Sequence, residues 1–392
     1  MAEPAPGPSH TPHIARLDVL RALAFLGVYT FHMTGPFPAL KLTWNGNWFD
    51  YSHWPAALYP LLPVGMGWLG VPLFFVLSGF CIHYSTLKRR DKGKFSTGDF
   101  YWRRWLRIYP TYFVCVIVCA LLAPWLPIKY FSNWQEVTGQ LTTHLLMIHN
   151  LVKMTFEGIN GPMWSLGVEA QFYLLYPFLL LVMRRRLSWG QCLCVALALN
   201  FVIATCLSLK SQPYEMTPIR STFSFPLVTW CDWILGAMLA EAYVEGKPLF
   251  SRPKAWLVGS GAMLLLAMNF RPLYVQGFLF SSVFFAVVMQ RYLARRTPLA
   301  WVERALVPIG LISYSLYLWH QPVQLLVMRW GQVHGLDQTP VLFAVFNAVV
   351  ASTILFPLAW LSYRAFETAV PRWLAGLVKK KSTPPVADAA AS

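Results

Sequence analysis

Ten stretches of about 20 mostly apolar residues follow one another along this chain, and a segment of that length is what crosses a bilayer. They run over residues 17–34, 64–84, 109–127, 163–183, 191–209, 222–243, 255–270, 274–290, 306–328 and 341–363. Hydrocarbon offers no water to an unpaired N–H or C=O, so each such stretch must pair its own backbone as a helix. The fold expected is therefore all-α, a polytopic bundle of about ten spans. An eleventh apolar stretch, 139–152, is short and holds His144, His149 and Asn150, so it reads as a re-entrant or interfacial helix. Charged residues make up 12% of the chain, half of the roughly 25% usual in soluble domains. The net charge of +16 does not mark a nucleic-acid binder, because the basic residues sit in short clusters between apolar runs.

Those clusters set the orientation. With the N-terminus inside and ten alternating spans, 25 of the 32 Lys and Arg fall in cytoplasmic segments and 7 outside. Positive charge stays on the cytoplasmic side, so both termini are expected there. Residues 1–13 have no basic n-region and read as a disordered lead, not a signal peptide. Residues 14–373 form the membrane domain, and 374–392 a basic, disordered tail. The outer segment 35–63 carries seven aromatic residues, suited either to stacking on sugar rings or to ordinary interfacial belting. The seven cysteines lie mostly inside apolar runs without the partners of a zinc site, so no metal is expected.

Ionisable groups inside spans are costly, and each is a candidate for function. In the first span Asp18 and Arg21 are neighbours three residues apart. Arg21 and His32, eleven apart, share a face separated by about 16 Å of rise. Arg104 and Arg107 share a face at the inner mouth of the third span. Two guanidinium forks there suit phosphate, whether of an acyl-CoA or of lipid headgroups. In the fourth span Ser165, Glu169 and Tyr173 step by four. Glu169 reaches about the depth of His32, so a His–Glu pair is expected in a wet cavity. In the ninth, Ser313, Tyr317 and His320 fall on one face, and Glu367 near Arg364 reads as a local ion pair. The stretch Phe74 to Phe80, with Ser78 and Gly79, reads as close helix packing.

Taken in order, Arg16-Leu-Asp-x-Leu-Arg21 with His32, Phe74-Phe-x-x-Ser-Gly-Phe80, Arg104-x-x-Arg107 with Ile108 and Pro110, Trp164-Ser-Leu-x-x-Glu169, Ser313-Tyr-x-x-Tyr317-x-x-His320 and Tyr363-Arg-x-x-Glu367 resemble the acyltransferase 3 family over about residues 14–372. That resemblance implies a bacterial inner-membrane O-acyltransferase that takes acetyl-CoA from the cytoplasm. The acceptor would be a hydroxyl of a polysaccharide, a lipopolysaccharide or a related sugar, with exported exopolysaccharide among the candidates. Carried over, the important positions are Arg21, His32, Arg104, Arg107 and Glu169. In this reading Arg104, Arg107 and Arg21 meet the donor's negative charge. His32 is either general base or transient acyl acceptor, and Glu169 orients it. Ser165, Tyr173, Tyr317 and His320 shape the acceptor side. Some members carry an additional extracytoplasmic hydrolase-like domain. The expectation here is a stand-alone transferase or one served by a separate partner, such as glycan-assembly machinery, among membrane lipids.

Three other classes fit parts of the pattern. A solute transporter would carry buried His, Glu and Arg but frequently shows repeated halves, and no repeat is visible. A lipid-linked glycosyltransferase is expected to need a paired acidic or metal site. An envelope scaffold needs no chemistry. Within the acyltransferase reading, acylation of a non-glycan small molecule is the alternative.

Overall fold

The computed structural model describes residues 14–34, 65–93, 95–126, 132–209, 224–269, 271–374 and 376. It is 85% helical, with no strand among the described residues. The N-terminal lead, the aromatic segment 35–63 and the tail after residue 376 lie outside them. Helix α1 spans Ala15–Thr34, α2 Gly70–Arg90 and α3 Thr97–Leu121. The stretch read as re-entrant, 139–152, overlaps α4, Trp134–Leu145, a helix of 12 residues and too short to cross. Next come α5, Trp164–Phe178, continued by a π-helical turn over Leu179–Met183, and α6, Trp189–Leu209. The second half has α7, Pro226–Glu245, α8, Pro253–Asn269, and α9, Gly277–Leu293. Helices α10, Trp301–Leu311, α11, Ser313–Val333, and α12, Pro340–Ser362, complete it, α12 running into a second π-helical stretch, Tyr363–Ala369.

Six of these, α2, α3, α5, α6, α7 and α12 with their continuations, are long and apolar enough to cross a membrane. The protein is a multi-pass membrane protein. Helices α8 and α9 are apolar but have 17 residues each. The single stretch expected over 306–328 is two helices. Ile312 (φ −98°, ψ 10°) breaks the path between α10 and α11. The break serves two partners, since α10 lies along α1 while α11 packs chiefly on α12.

Helix α2 is the centre of the bundle. In its spanning segment 78% of the residues are buried, against 22% for α6 and 28% for α12, whose exposed Leu, Val and Trp face outward. Its closest neighbour is α7. A Cβ on Gly79 would come 2.0 Å from the Trp233 carbonyl oxygen, and one on Gly236 2.0 Å from that of Val76. Both positions therefore need glycine, and their backbones meet at a distance no larger side chain allows. This fixes the rotation of α2 and so decides which way Ser78 points.

Candidate active site

The face of α2 that carries Ser78, Cys81 and Ser85 steps by three and four, one stripe of a helix. Each of the three meets a residue that sequence reasoning singled out. Ser78 donates to Glu169 Oε1 at 2.8 Å, and Tyr173 donates to the same oxygen at 2.5 Å. Cys81 Sγ receives Arg21 Nη2 at 3.0 Å, while Arg21 Nη1 pairs with Asp18 at 2.5 Å. Ser85 Oγ receives Arg104 Nη2 at 2.9 Å. The Arg104 guanidinium also lies over the rings of Phe100 and Tyr173, at 5.7 and 5.9 Å from their centroids. Arg107, one turn further, is exposed and within electrostatic reach of Tyr173 and Glu367. One stripe of α2 thus gathers α1, α3 and α5 around a polar seam.

At its other end, toward the close of α1, the seam meets a pair of histidines. His32 Nδ1 lies 3.0 Å from the Val28 carbonyl oxygen and 3.1 Å from Nε2 of His320. The rings are tilted by 45°, with centroids 5.0 Å apart. His320 is fully buried, and its Nδ1 sits 2.7 Å from the carbonyl oxygen of Tyr317. Pro322, two residues on, has no N–H, which leaves the Leu318 carbonyl without its helical donor. Asn160 Nδ2 takes that carbonyl at 2.9 Å. Its thiol neighbour Cys115 lies 3.5 Å from the same oxygen. Tyr29, beside His320 on α1, bonds Ser352 of α12 at 2.9 Å, and Gln324 donates to the Tyr29 carbonyl. Helix α11 is held against α1, α3 and α12 around the imidazole pair.

Between the two ends runs one more link. Tyr317, on the same helix as His320, bonds Ser165 Oγ at 2.8 Å. Ser165 stands one turn before Glu169 on α5, as the four-residue spacing implied. From the Arg104 mouth through Tyr173, Glu169, Ser165 and Tyr317 to His320 and His32, polar groups follow one another through the bundle interior.

Two expectations need correcting. Glu169 is not paired with His32. Its partners are Ser78 and Tyr173, because α5 turns that face toward α2, and His32 instead faces α11. Glu367 does not pair with Arg364 either. The π-helical stretch turns Glu367 inward to accept from Ser315, and Arg364 lies over Trp360. Sequence reasoning read Ser78 as packing and Cys81 as a bland apolar position, and passed over Ser85. Their i, i+3, i+7 spacing was the available signal.

The arrangement offers a basic mouth, a polar interior and a buried ring nitrogen at the far end. These are parts that a group transfer can use. Comparison with known proteins agrees. The family model described as the acyltransferase domain matches residues 14–361. The chain is 25% identical to peptidoglycan O-acetyltransferase OatA of Listeria monocytogenes, over 91% of this chain and 56% of that protein. It is 28% identical to a provisionally named O-acetyltransferase of Staphylococcus aureus, over 91% of this chain and 57% of the relative. It is 26% identical to YrhL of Bacillus subtilis, provisionally named a peptidoglycan O-acetyltransferase, over 92% and 55%. The chain spans just over half the length of these relatives. No solved structure matches it. With the matched region covering nearly the whole helical bundle and every motif described above up to α12, the chain belongs to the acyltransferase 3 family.

Proposed function

We propose that the protein is a membrane O-acetyltransferase. It takes an acetyl group from acetyl-CoA at the cytoplasmic face and delivers it to a hydroxyl of an envelope glycan. The observation that carries the reading is the polar path from the Arg104 mouth to the His32–His320 pair. The 25-to-7 distribution of basic residues supports ten crossings with both termini inside, which puts Arg104 and Arg107 at the cytoplasmic mouth. Two relatives are named for peptidoglycan, so peptidoglycan is the first acceptor to test, ahead of exported polysaccharide and lipopolysaccharide. The bacterial inner membrane is the corresponding location, and glycan-assembly machinery the corresponding partner.

In this mechanism Arg104 and Arg107 hold the phosphates of the nucleotide, as guanidinium forks do. The thioester arm reaches along the seam toward α1. His32 takes the proton of the acceptor hydroxyl as that oxygen attacks the thioester carbonyl carbon. The C–S bond breaks with its electron pair on sulfur, and the proton passes from the imidazolium to the thiolate, leaving CoA thiol and the acetyl ester. Glu169, one turn from Ser165, keeps the interior polar and favours the transient cation at the imidazole pair. Arg21, held by Asp18 and Cys81, adds positive charge along the route of the anionic donor.

The test is direct. The purified full chain in lipid vesicles receives radiolabelled acetyl-CoA and, in separate arms, isolated sacculi, lipopolysaccharide or an exported polysaccharide. Alkali-labile label on one of these acceptors, matched by acceptor-dependent thiol release, is the expected result. No label on any glycan, with the protein folded, would sink the reading.

A further inference from the structure

Asn347 is completely buried on α12, yet neither polar atom of its amide has a hydrogen-bond partner among the described residues. A buried amide in that state costs free energy that a bound partner would offset. Its direction follows from the one buried stripe of α12, where Phe343, Asn347, Ala351, Leu355 and Ala359 step by four. The other four are apolar. Ala351, Leu355 and Ala359 join Val28 and Tyr29 of α1 and Val323 and Val327 of α11 in one core. The amide therefore points into the bundle, at a position where an aliphatic side chain would continue the stripe.

A second such atom lies at the same end. Gln324, one turn past His320 on α11, donates through Nε2 to the Tyr29 carbonyl, and its buried Oε1 has no partner among the described residues. Helix α1 runs alongside α10 and α11 in one direction, with Asp18 against Gly310 and His32 against His320. Helix α12 returns the other way, with Phe346 against Gly331 and Ser362 bonded to Trp319. The Tyr29–Ser352 bond ties α1 to α12. Past that bond in the same direction lie His32, three residues along α1, and Asn347, five along α12. Those steps are about 5 and 8 Å of rise. Both amides thus stand at the imidazole end of the seam, away from the Arg104 mouth.

We propose that Asn347 and Gln324 form the acceptor subsite of this acyltransferase, holding the sugar through a group that both donates and accepts, its acetamido or a hydroxyl other than the one acylated. This rests on the reading of the protein as a glycan O-acetyltransferase. Asn347 Nδ2 donates to the oxygen of that group, while Asn347 Oδ1 and Gln324 Oε1 accept its N–H or O–H. Such a site rejects an acceptor that lacks the group, because its own buried amides then stay unpaired. Neutral amides also suit an apolar core, where a charge would cost far more to bury.

Asn347→Leu tests this in the full-length chain, because it keeps the branched shape and removes both hydrogen-bonding atoms. The assay uses vesicles, radiolabelled acetyl-CoA and the glycan that accepts label from the wild type. KM for the glycan should rise about 10-fold, the worth of one to two neutral hydrogen bonds, with KM for acetyl-CoA unchanged. Gln324→Met, which loses the single acceptor, should raise it about 3-fold. The thermal midpoint of Asn347→Leu in detergent should equal or exceed that of the wild type, since an unpaired buried amide is gone. A merely structural amide requires the opposite. Glycan stripped of its N-acetyl groups tells the two sugar groups apart. If the acetamido is held, wild type and Asn347→Leu take that glycan with the same KM, and if a hydroxyl is held, the difference between them persists. An unchanged glycan KM in Asn347→Leu, as when the amide binds only a buried water, overturns the proposal, and so does a lowered midpoint. A wild type that labels no glycan removes the O-acetyltransferase reading itself, so the two failures are distinct.

Discussion

Two pairs of histidines sit in this bundle, one half-buried at His32 and the other buried at both rings, and they are built in opposite ways. His32 and His320 meet edge to edge, ring nitrogen to ring nitrogen at 3.1 Å. His144 and His149 lie flat on one another, centroids 4.1 Å apart and planes within 12°. In the second pair Nδ1 of His144 bonds the Gln140 carbonyl, while Nε2 of both rings is buried with no hydrogen-bond partner. The pair stands outside the spanning helices, beside Tyr112, which donates to the His144 carbonyl at 2.9 Å. Burial pushes His144 down to about 4 and His149 well below the usual histidine range, the neighbouring ring adding to the effect on His149. Flat stacking spends both rings as packing surface. Edge contact joins a nitrogen of one ring to a nitrogen of the other. Burial alone therefore does not distinguish a working imidazole from a structural one, whereas the direction of its hydrogen bonds does.

The contrast predicts different responses, the largest at the edge-bonded pair. His32→Ala should lower acyl transfer by about 10²- to 10⁴-fold, the usual contribution of a general base, with folding retained. His149→Phe, which keeps the flat stack, should leave turnover unchanged, and a parallel assay of thiol release from acetyl-CoA compares the two. Equal loss in both variants would erase the distinction.

The stacked pair should instead govern stability against acid. The unfolded chain protonates these histidines near 6.5, the folded one only near 4 for His144, so the unfolded state binds more protons in between. The stability they contribute is complete above pH ~6.5 and is lost as pH falls toward 4, on the order of 3 kcal/mol for His144. Thermal unfolding in detergent across that window should show the decline, and His144→Phe should flatten it. A pH-independent wild type would contradict the neutral-stack account.

Asn160→Leu leaves the Leu318 carbonyl buried without its side-chain N–H donor, a cost of about 1–3 kcal/mol. Because that carbonyl lies beside His320, transfer should weaken together with thermal stability. Smallest of all is Tyr317→Phe, which removes the hydroxyl's contacts with Ser165 and the Pro162 carbonyl, a net loss of about one bond because those two stay bonded to each other. One neutral hydrogen bond, about 0.5–1.5 kcal/mol, should cost only a few-fold in turnover. A complete loss there would move Tyr317 from lining the path to acting in the chemistry.

Much of this was legible in the chain. Apolar length announced a helical membrane bundle, and the spacing of Ser165, Glu169 and Tyr173 placed them on one face, where the structure has them. Intrahelical periodicity gives the face of a residue but not the helix opposite. For that reason Glu169 was matched to His32 by depth, although the neighbours of α5 and α1 on those faces are α2 and α11. What turns α2 is the contact of Gly79 and Gly236 with backbone oxygens, a long-range fit that no local pattern encodes. The role of Pro322 was likewise hidden until Asn160, 162 positions earlier, was seen on the carbonyl it releases. The break at Ile312 follows Pro308 and Gly310, and Gly310 lets α10 meet the Asp18 carbonyl of α1 while α11 packs chiefly on α12.

The claim beneath all of this is that one polar path joins a donor mouth on one face to an imidazole pair near the other. Vesicles holding the protein in a single orientation test it, with labelled acetyl-CoA supplied only on the face of Arg104 and Arg107 and glycan acceptor only on the opposite face. Label should appear on the glycan, and should vanish when Arg104 and Arg107 are both replaced by glutamine. Transfer that occurs only when donor and acceptor share one face would contradict the path.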